Sequence, residues 1–349
     1  MDLLPPTRGS SSPPAADDFE ALVAAHRREL QVHCYRMLGC WTEAEDLLQE
    51  ALVRAWRGLA RFEGRSSVRT WLYQIATNAC LTALARRERR GLPETLRPAA
   101  AEGGALEPPE EGVAWLQPLP TPSDLDVEAQ AESRQALTLA FAVALQHLPP
   151  RQRATLLLRD VVGCEAREVA EMIGTSTPAV NSALVRARER MERFRAEHGD
   201  EPPVAPLDSE QQRRIDSYLA AWEAADVPAL AALLSDEAVF SMPPYPTWYR
   251  GRAAVARALE EIVFAQGRAF RLLRTAANGR PAFAVYRRGA AGPGLAGARD
   301  TARSYTGTGI QVLVPRPTGA GGGIERVVTF LDARLVPRFG LPPALAPEP

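Results

Sequence analysis

The sequence contains no lysine, and only four of its 349 residues are cysteine. All 41 basic residues are therefore arginine, which together with 30 prolines indicates a GC-biased coding sequence rather than a functional requirement. Four cysteines in a chain of this length do not make the paired framework that stabilises small secreted domains. They exclude a disulfide scaffold and predict a reducing, cytoplasmic location.

Long hydrophobic runs are also missing. No apolar stretch approaches the roughly 18 to 20 residues that a membrane span needs. The first residues, MDLLPPTRGSSSPP, have neither a basic start nor an apolar core of the kind found in signal peptides. We therefore expect no membrane partner and no secretion. A composition of 46% hydrophobic and 24% charged residues predicts a globular protein of two or three domains.

The charges are unevenly distributed, although the net charge is only −1. Residues 61–90 hold seven Arg and two Glu, whereas residues 91–130 hold one Arg and eight acidic residues. Such asymmetry predicts that the basic segment contacts nucleic acid. The acidic segment is rich in Pro, Gly and Glu and lacks apolar periodicity, so we predict an extended linker over 93–127.

Helical periodicity precedes this linker. Over 17–92 the apolar spacing predicts an all-helical block. Thr42 to Glu45 form a capping-box pattern that predicts the start of the second helix, and Ser66 or Ser67 can cap the third.

A second helical block is expected over 128–198. Its helices are predicted at about 127–147, 151–160, 165–173 and 178–195. Pro150 and Pro178 each suit a first helical position. From 209 the pattern changes to one helix over 209–224 followed by alternating segments such as 283–286 and 309–314, which predicts an α+β domain to 337 and a tail over 338–349.

The clearest local motif runs from Val169 to Val180. Small Ala170 allows two helices to approach, Gly174 suits a tight turn, and Val180 anchors the next helix, so the motif predicts a helix-turn-helix whose second helix enters the major groove. The alternative is a helical hairpin with solvated arginines. The predicted DNA-facing residues share one side or end of that second helix: Thr177, Asn181, Ser182, Val185, Arg186 and Arg188.

Residues 61–73 interleave arginines with aromatic residues around Gly64. Such a mixture can hold backbone phosphates while a ring stacks on an unpaired base. The alternative for Trp71 is an ordinary core position, because it shares helical spacing with Leu72 and Ile75. The arginines over 86–90 are most simply a solvated helix end.

These motifs carry a resemblance. Residues 43–56 and 68–78 resemble the sigma-2 domain of extracytoplasmic-function sigma factors of the sigma-70 family, and 148–153 with the helix-turn-helix resembles sigma-4. The resemblance implies that 43–56 docks on the RNA polymerase core enzyme, that 61–78 recognises and melts the −10 element, that the helix-turn-helix recognises the −35 element, and that the linker threads the polymerase. Implied core contacts are Asp46, Leu47, Gln49, Glu50 and Arg54. Implied −10 contacts are Arg61, Phe62, Arg65, Ser66, Arg69, Trp71 and Asn78.

The C-terminal part resembles the SnoaL-like group of the nuclear-transport-factor-2-like superfamily. The resemblance rests on 218–222, 233–244, 249–255 and the tail 330–342, and it implies a cone of helices and a curved sheet around a pocket, with a pocket Asp or His as acid or base in the enzymes. The four histidines all precede 209, so no His–carboxylate pair marks a tuned base there. The remaining candidates are Asp226, Asp236, Asp300, Glu325 and Asp332. We therefore predict a regulatory domain with no catalytic residues, and leave open whether its pocket binds a small-molecule ligand.

His33, Cys34 and Cys40 lie close together in the sequence and are candidate metal ligands. Cys34 falls on the apolar stripe of the first helix, and no fourth ligand has zinc-site spacing, so the pattern favours a buried thiol. We predict neither a metal nor a cofactor.

Together these features predict a multidomain protein. Two all-α sigma domains, a sigma-2 helical bundle and a sigma-4 helix-turn-helix, precede an α+β nuclear-transport-factor-2-like cone. The predicted function is promoter-specific transcription initiation with the RNA polymerase core enzyme and promoter DNA as partners. The alternatives are a helix-turn-helix repressor with a ligand-sensing domain and a SnoaL-like enzyme fused to a DNA-binding module.

Overall fold

The structure is a computed structural model. It describes residues 16–64, 66–85, 89–101, 104–110, 112–121, 138–199, 201, 204–289, 304–317 and 322–346. The chain divides into two compact units, with boundaries between Arg87 and Glu88, between His147 and Leu148, and between Arg190 and Met191. Each unit is therefore built from two separate stretches of the chain.

The first stretch of unit 1 is helical, as predicted. Its helices are α1 (Ala16–Leu38), α2 (Trp41–Gly58) and α3 (Val68–Leu84). Helix α2 buries Ala44, Leu48, Ala51 and Ala55 at helical spacing. Ser67 caps α3, because its side chain accepts a hydrogen bond from the Thr70 amide at 3.0 Å.

The predicted capping box at Thr42 is wrong. Helix α2 begins one residue earlier, at Trp41, and its N-cap is Cys40, which makes no side-chain capping bond. Gly39, in the left-handed region at φ +69°, ends the preceding helix, and the extended backbone of Cys40 leads straight into α2. Thr42 therefore lies inside the first turn.

The second stretch of unit 1 contains the helix-turn-helix. Helix α6 (Pro150–Leu156) continues as a π-helical turn (Leu157–Val161) and is followed by α7 (Ala166–Met172) and α8 (Thr177–His198). Gly174 adopts φ +64°, a left-handed conformation that favours glycine, and Val180 is fully buried. Pro150 occupies the first position of its helix, whereas Pro178 is the second residue of α8.

Unit 2 contains the linker, one helix of the second predicted helical block and the C-terminal domain. Its helices before 209 are α4 (Pro93–Leu96) and α5 (Leu139–Gln146). The predicted helix over 127–147 is confirmed in its last part, and the rest of that prediction lies outside the described residues.

The C-terminal domain is an open sheet with helices. Its helices are α9 (Ser209–Glu223), α10 (Val227–Leu233), α11 (Arg252–Ala258) with a π-helical turn (Leu259–Val263), and α12 (Leu335–Arg338). Its strands are β1 (Leu234–Ser241), β2 (Trp248–Arg250), β3 (Phe270–Ala277), β4 (Arg280–Arg288), β5 (Tyr305–Pro315), β6 (Ile324–Phe330) and β7 (Ala344–Leu345). The strand order is β2-β1-β6-β5-β4-β3, with β7 paired to β5, so β2 and β3 form the two edges.

The main core of this domain lies between α9 and the sheet. Trp222, Phe264 and Phe270 pack edge to face, and Tyr218 stacks on Phe283. The Tyr218 hydroxyl donates to Gln311 Oε1 at 3.0 Å, which satisfies a polar group in the interior. Aromatic rings therefore fill the space between α9 and the sheet.

The core of unit 1 contains a buried histidine. His33 Nε2 lies 2.9 Å from Thr77 Oγ1, and the ring packs edge to face on Tyr73. Burial, and secondarily the nearby Arg36, lowers the pKa of His33 from 6.5 to about 3. The folded protein therefore keeps this ring neutral at pH values where an unfolded chain protonates it.

We expect acidification to destabilise unit 1 through His33. Because the folded pKa lies below the unfolded one, the free energy of unfolding falls as the pH drops below about 6.5, by at most about 1.4 kcal/mol per pH unit. His33→Gln should remove this slope, measured by urea unfolding at pH 7.0, 6.0 and 5.0. Equal slopes in both proteins would contradict the assignment.

Candidate nucleic-acid and partner-binding surfaces

The outer face of α2 forms a shallow depression. It is lined by Asp46, Gln49, Glu50, Val53, Arg54 and Arg57. The predicted contact residues Asp46, Gln49, Glu50 and Arg54 are all exposed on it, and Leu47 is half-buried. Glu50 and Arg54 form an exposed ion pair at 3.4 Å.

Two apolar side chains on α2 were missed by the sequence analysis. Val53 is 49% exposed and lies among the charged residues of the depression, and Trp56 is 45% exposed with its ring edge-on to Phe19. The sequence did contain a signal for them, because residues four and seven positions after Gln49 lie on the same face of the helix as Gln49. An apolar centre bordered by both signs of charge suits a protein partner.

Residues 61–78 divide into an exposed group and a packed group. Arg61 and Ser66 are exposed. Phe62 packs on Trp71 with ring centroids 4.9 Å apart, and both are half-buried. Arg65 lies outside the described residues.

Arg69 is held by a partly buried network. Its guanidinium donates to Glu29 at 2.9 and 3.2 Å, lies 5.0 Å from the Tyr73 ring centroid, and reaches the Val162 carbonyl at 3.4 Å. Burial opposes the ionisation of Glu29, but hydrogen bonds from Arg69, His26 and Tyr73 outweigh it and lower the pKa of its carboxyl. The same hydrogen bond raises the pKa of Arg69.

Asn78 also points to the helix-turn-helix half of unit 1. Its Nδ2 donates to the Met172 carbonyl at 2.8 Å and to the Gln74 carbonyl at 3.0 Å. Arg69 and Asn78, two of the predicted −10 contacts, therefore donate hydrogen bonds to backbone carbonyls of the helix-turn-helix half.

A buried arginine joins the two halves of unit 1, and the sequence analysis did not single it out. Arg153 on α6 is 3% exposed; its Nη1 donates to the Met37 carbonyl at the end of α1 and its Nη2 to the Leu148 carbonyl at 3.2 Å. Burial lowers the pKa of Arg153 to about 10, so the side chain remains charged at neutral pH.

The second helix of the helix-turn-helix presents the predicted face. Asn181, Ser182, Val185 and Arg186 are exposed, and Thr177 is half-buried at its start. Arg188 is exposed and pairs with Asp160 through two bonds of 2.7 and 2.9 Å. An exposed polar face with a neighbouring cation matches the geometry of direct base and phosphate contacts.

The candidate bases of the C-terminal domain have structural partners. Asp226 caps α10 by accepting from the Ala229 amide at 3.0 Å. The others form ion pairs: Asp236 with Arg252 at 3.0 Å, Glu325 with Arg316 at 3.6 Å, and Asp332 with Arg334 at 2.9 Å. Asp300 lies outside the described residues.

The linker lies on the C-terminal domain. Its described residues form no regular element beyond α4, but the isolated Leu116 and Leu119, and Leu92 just before the linker, are buried. Glu94 pairs with Arg326 of β6 at 3.3 Å. Sequence periodicity carries no signal for such docking, because each apolar residue stands alone.

The four cysteines are free and buried, which confirms the buried-thiol interpretation of Cys34. Among the described residues, no group of three or more His, Cys, Asp or Glu side chains is placed to hold a metal ion. None of the described helices combines the length and apolar content that crossing a membrane would require.

Family models match all three domains. Residues 22–90 match Sigma-70 region 2, residues 138–191 match Sigma-70, region 4, and residues 215–331 match the SnoaL-like domain. The crystal structure of the extracytoplasmic function sigma factor SigJ of Mycobacterium tuberculosis covers 93% of this chain and 99% of SigJ, with a TM-score of 0.54 and 21% identity. That likeness shows the same fold.

Two related proteins of known class are similar to this chain in sequence. The RNA polymerase sigma-H factor of Pseudomonas aeruginosa is 29% identical over 175 residues, which cover 50% of this chain and 84% of that protein. The ECF RNA polymerase sigma factor SigG of Mycobacterium tuberculosis is 44% identical over 332 residues, which cover 94% of this chain and 85% of SigG. The chain therefore belongs to the extracytoplasmic-function family of RNA polymerase sigma factors, and it carries a SnoaL-like domain after the two sigma regions.

Proposed function

We propose that this sigma factor works through three surfaces: the outer face of α2 for the core enzyme, residues 61–78 for the −10 element, and the exposed face of α8 for the −35 element. The proposal is supported by the exposure of the predicted side chains on two different helices: Asp46, Gln49, Glu50 and Arg54 on α2, and Asn181, Ser182, Val185 and Arg186 on α8. We further propose that the protein acts in the cytoplasm, where the polymerase is, and that the C-terminal domain modulates initiation.

The core-binding surface rests on α2. Its inward residues hold the helix on the bundle, so Asp46, Gln49 and Glu50 are available to a partner without any rearrangement. Val53 supplies apolar area that a partner can bury, and the surrounding charges provide specificity.

Reversing one charge on this face tests the surface. Asp46→Arg should weaken binding to core polymerase about tenfold, because a central contact becomes repulsive. Glu20→Arg, a charge reversal at an exposed position of α1, is the matched control and should bind normally. The assignment fails if Asp46→Arg binds as tightly as the control while both keep native circular dichroism.

Promoter recognition requires the two halves of unit 1 to separate. Elements near −10 and −35 lie about 25 base pairs apart, or roughly 85 Å of duplex at 3.4 Å per base pair. In the structure Asn78 and Arg69 contact carbonyls of the helix-turn-helix half directly. We infer that the structure represents a closed form, and that polymerase binding selects an open one.

Two arginines of α8 should behave differently. Arg186→Ala should cost about 1–3 kcal/mol and relax preference at one −35 position if the guanidinium meets a guanine edge. Arg188→Ala should weaken binding to all sequences and reduce the salt dependence, since we assign this side chain to a phosphate. Initiation on a −35 promoter library measures both.

Arg167→Ala provides the control for this pair. Arg167 is exposed on α7 and pairs with Glu171 at 3.1 Å, as Arg188 pairs with Asp160. Its loss should leave initiation unchanged. Identical library profiles for Arg186→Ala and Arg188→Ala would show that the recognition face is misassigned.

The C-terminal domain is proposed to regulate rather than catalyse. No His, Cys or Lys follows residue 200, and the described candidate acids serve caps and ion pairs. A small-molecule ligand is the alternative: the buried Trp222 Nε1 has no hydrogen-bond partner among the described residues and could meet an acceptor. A substrate and ligand screen of the full chain tests this, and turnover would favour the enzyme.

A further inference from the structure

A cavity lies on the face of the C-terminal sheet that is turned away from α9. Val239 and Val314 line it, whereas their neighbours Phe240 and Leu313 belong to the core beneath α9, as expected for alternating residues of a strand. The cavity has a volume of about 410 Å³, and all the residues that line it belong to unit 2. This volume lies in the range of small-molecule sites, about 300–1,000 Å³.

Three parts of unit 2 surround the cavity. Strands β1, β2, β5 and β6 form one side, and residues 94–99 form the second. Helix α5 and the end of α8, with the residues up to Glu201, form the third. The cavity is therefore separate from the aromatic core that contains Trp222.

Arginine and valine alternate in one row across the sheet at this cavity. The row follows the strand order β2, β1, β6 and β5, and its successive partners are Arg250, Val239, Arg326 and Val314. Paired residues project from the same face of a sheet, and neighbouring strands are about 4.8 Å apart. The two arginines therefore start from backbone positions roughly 10 Å apart, with a valine between them.

One carboxylate that lines the cavity has no hydrogen bond. The Glu94 side chain is 8% exposed, and neither of its oxygens has a hydrogen-bond donor among the described residues. Arg326 Nη1 lies 3.3 Å from Glu94 Oε1 and balances the charge without hydrogen-bond geometry. Buried carboxylates normally accept hydrogen bonds, and leaving both oxygens open costs free energy. A ligand with two N–H donors would satisfy them.

The charge balance favours a neutral donor over a cationic one. Because Arg326 already compensates Glu94, a bound ammonium or guanidinium group would leave an excess positive charge in a largely buried place. A nucleobase brings N–H donors without charge, and its flat faces can pack on valine side chains. Guanine has two adjacent donors, N1–H and N2–H, on one edge, which match the two oxygens of a carboxylate.

Arg250 is available for an anionic group. It is exposed, it forms no ion pair within the described part of the chain, and its guanidinium lies 5.7 Å from the Trp248 ring centroid. The other two arginines that line the cavity, Arg97 and Arg326, pair with carboxylates. A guanidinium without such a partner is well suited to bind phosphate.

We propose that this cavity binds a guanine nucleotide. Glu94 accepts hydrogen bonds from N1–H and N2–H of the base, the valines of the row contact its face, and Arg250 binds the 5′-phosphate. Binding at this site requires neither the proposed closed form nor the proposed open form of unit 1. It is therefore measured on the full-length protein without polymerase or DNA.

Equilibrium binding of GMP, AMP and guanosine tests the recognition of the base. GMP should bind about tenfold more tightly than AMP, because the matching edge of adenine has one donor and one acceptor. Glu94→Gln replaces one acceptor oxygen by a donor of similar size, and should weaken GMP and guanosine by the same factor, about tenfold. Glu237→Gln is the matched control, because Glu237 is exposed on β1 outside the cavity lining.

Arg250→Ala tests the recognition of the phosphate. The variant should bind GMP about tenfold more weakly and guanosine as tightly as the parent, because only GMP has the phosphate. Arg213→Ala removes an exposed arginine of α9 outside the cavity lining, and should bind both ligands normally.

Several results would overturn the proposal. Equal affinities for GMP and AMP would remove the role of the guanine edge, and no binding of GMP at millimolar concentration would leave water as the partner of Glu94. Binding of agmatine in place of GMP would make the cavity a cation site. Unchanged GMP affinity in both Glu94→Gln and Arg250→Ala would place the nucleotide elsewhere. If Glu94→Gln does not fold, the comparison of GMP with AMP on the parent protein still decides.

Discussion

A buried cation joins the two halves of unit 1. The Arg153 guanidinium enters from the helix-turn-helix half and donates to the Met37 carbonyl at the end of α1, where the helix dipole is negative. A buried charge must keep such partners, because losing them leaves it uncompensated in a low-dielectric interior. The opening that we propose would return it to water, which solvates a guanidinium well. The interaction therefore fixes the geometry of the structure, and on that proposal the contact is reversible.

Two other residues that join the halves of unit 1 would have partners in both of the proposed states. Asn78 and Arg69 donate to protein carbonyls in the closed form, and the same donors face the −10 element in the proposed open form. Backbone carbonyl oxygens and the acceptor atoms of nucleic acids both accept hydrogen bonds from the N–H groups of an amide or a guanidinium. If DNA replaces these carbonyls as the acceptor in the proposed open form, it competes for the same donor groups, and modest changes elsewhere would shift the balance between the two forms.

The sequence predicted the elements that rest on local rules. Gly174 predicted a left-handed turn, and Ser67 predicted a helix cap. Alternation of apolar and polar residues predicted β4 and β5. The structure contains each of them. The capping box failed because Gly39 and Cys40 fixed the start of α2 earlier. Docking of the linker and burial of Arg153 could not be predicted, because both depend on partners more than 100 residues away. Of the candidate surfaces, the sequence indicated the charged residues of α2 but not Val53.

The discontinuity of unit 2 affects how the protein is made. The linker is translated before the strands that it contacts. The Thr121 amide donates to the Ala276 carbonyl on β3. Ala276 follows about 155 residues later, so at 5–20 residues per second the ribosome needs roughly 10–30 s to supply this edge of the sheet. The first sigma region has been translated before that interval, and the second is completed within it. A newly made chain therefore contains both sigma regions before its C-terminal domain is complete.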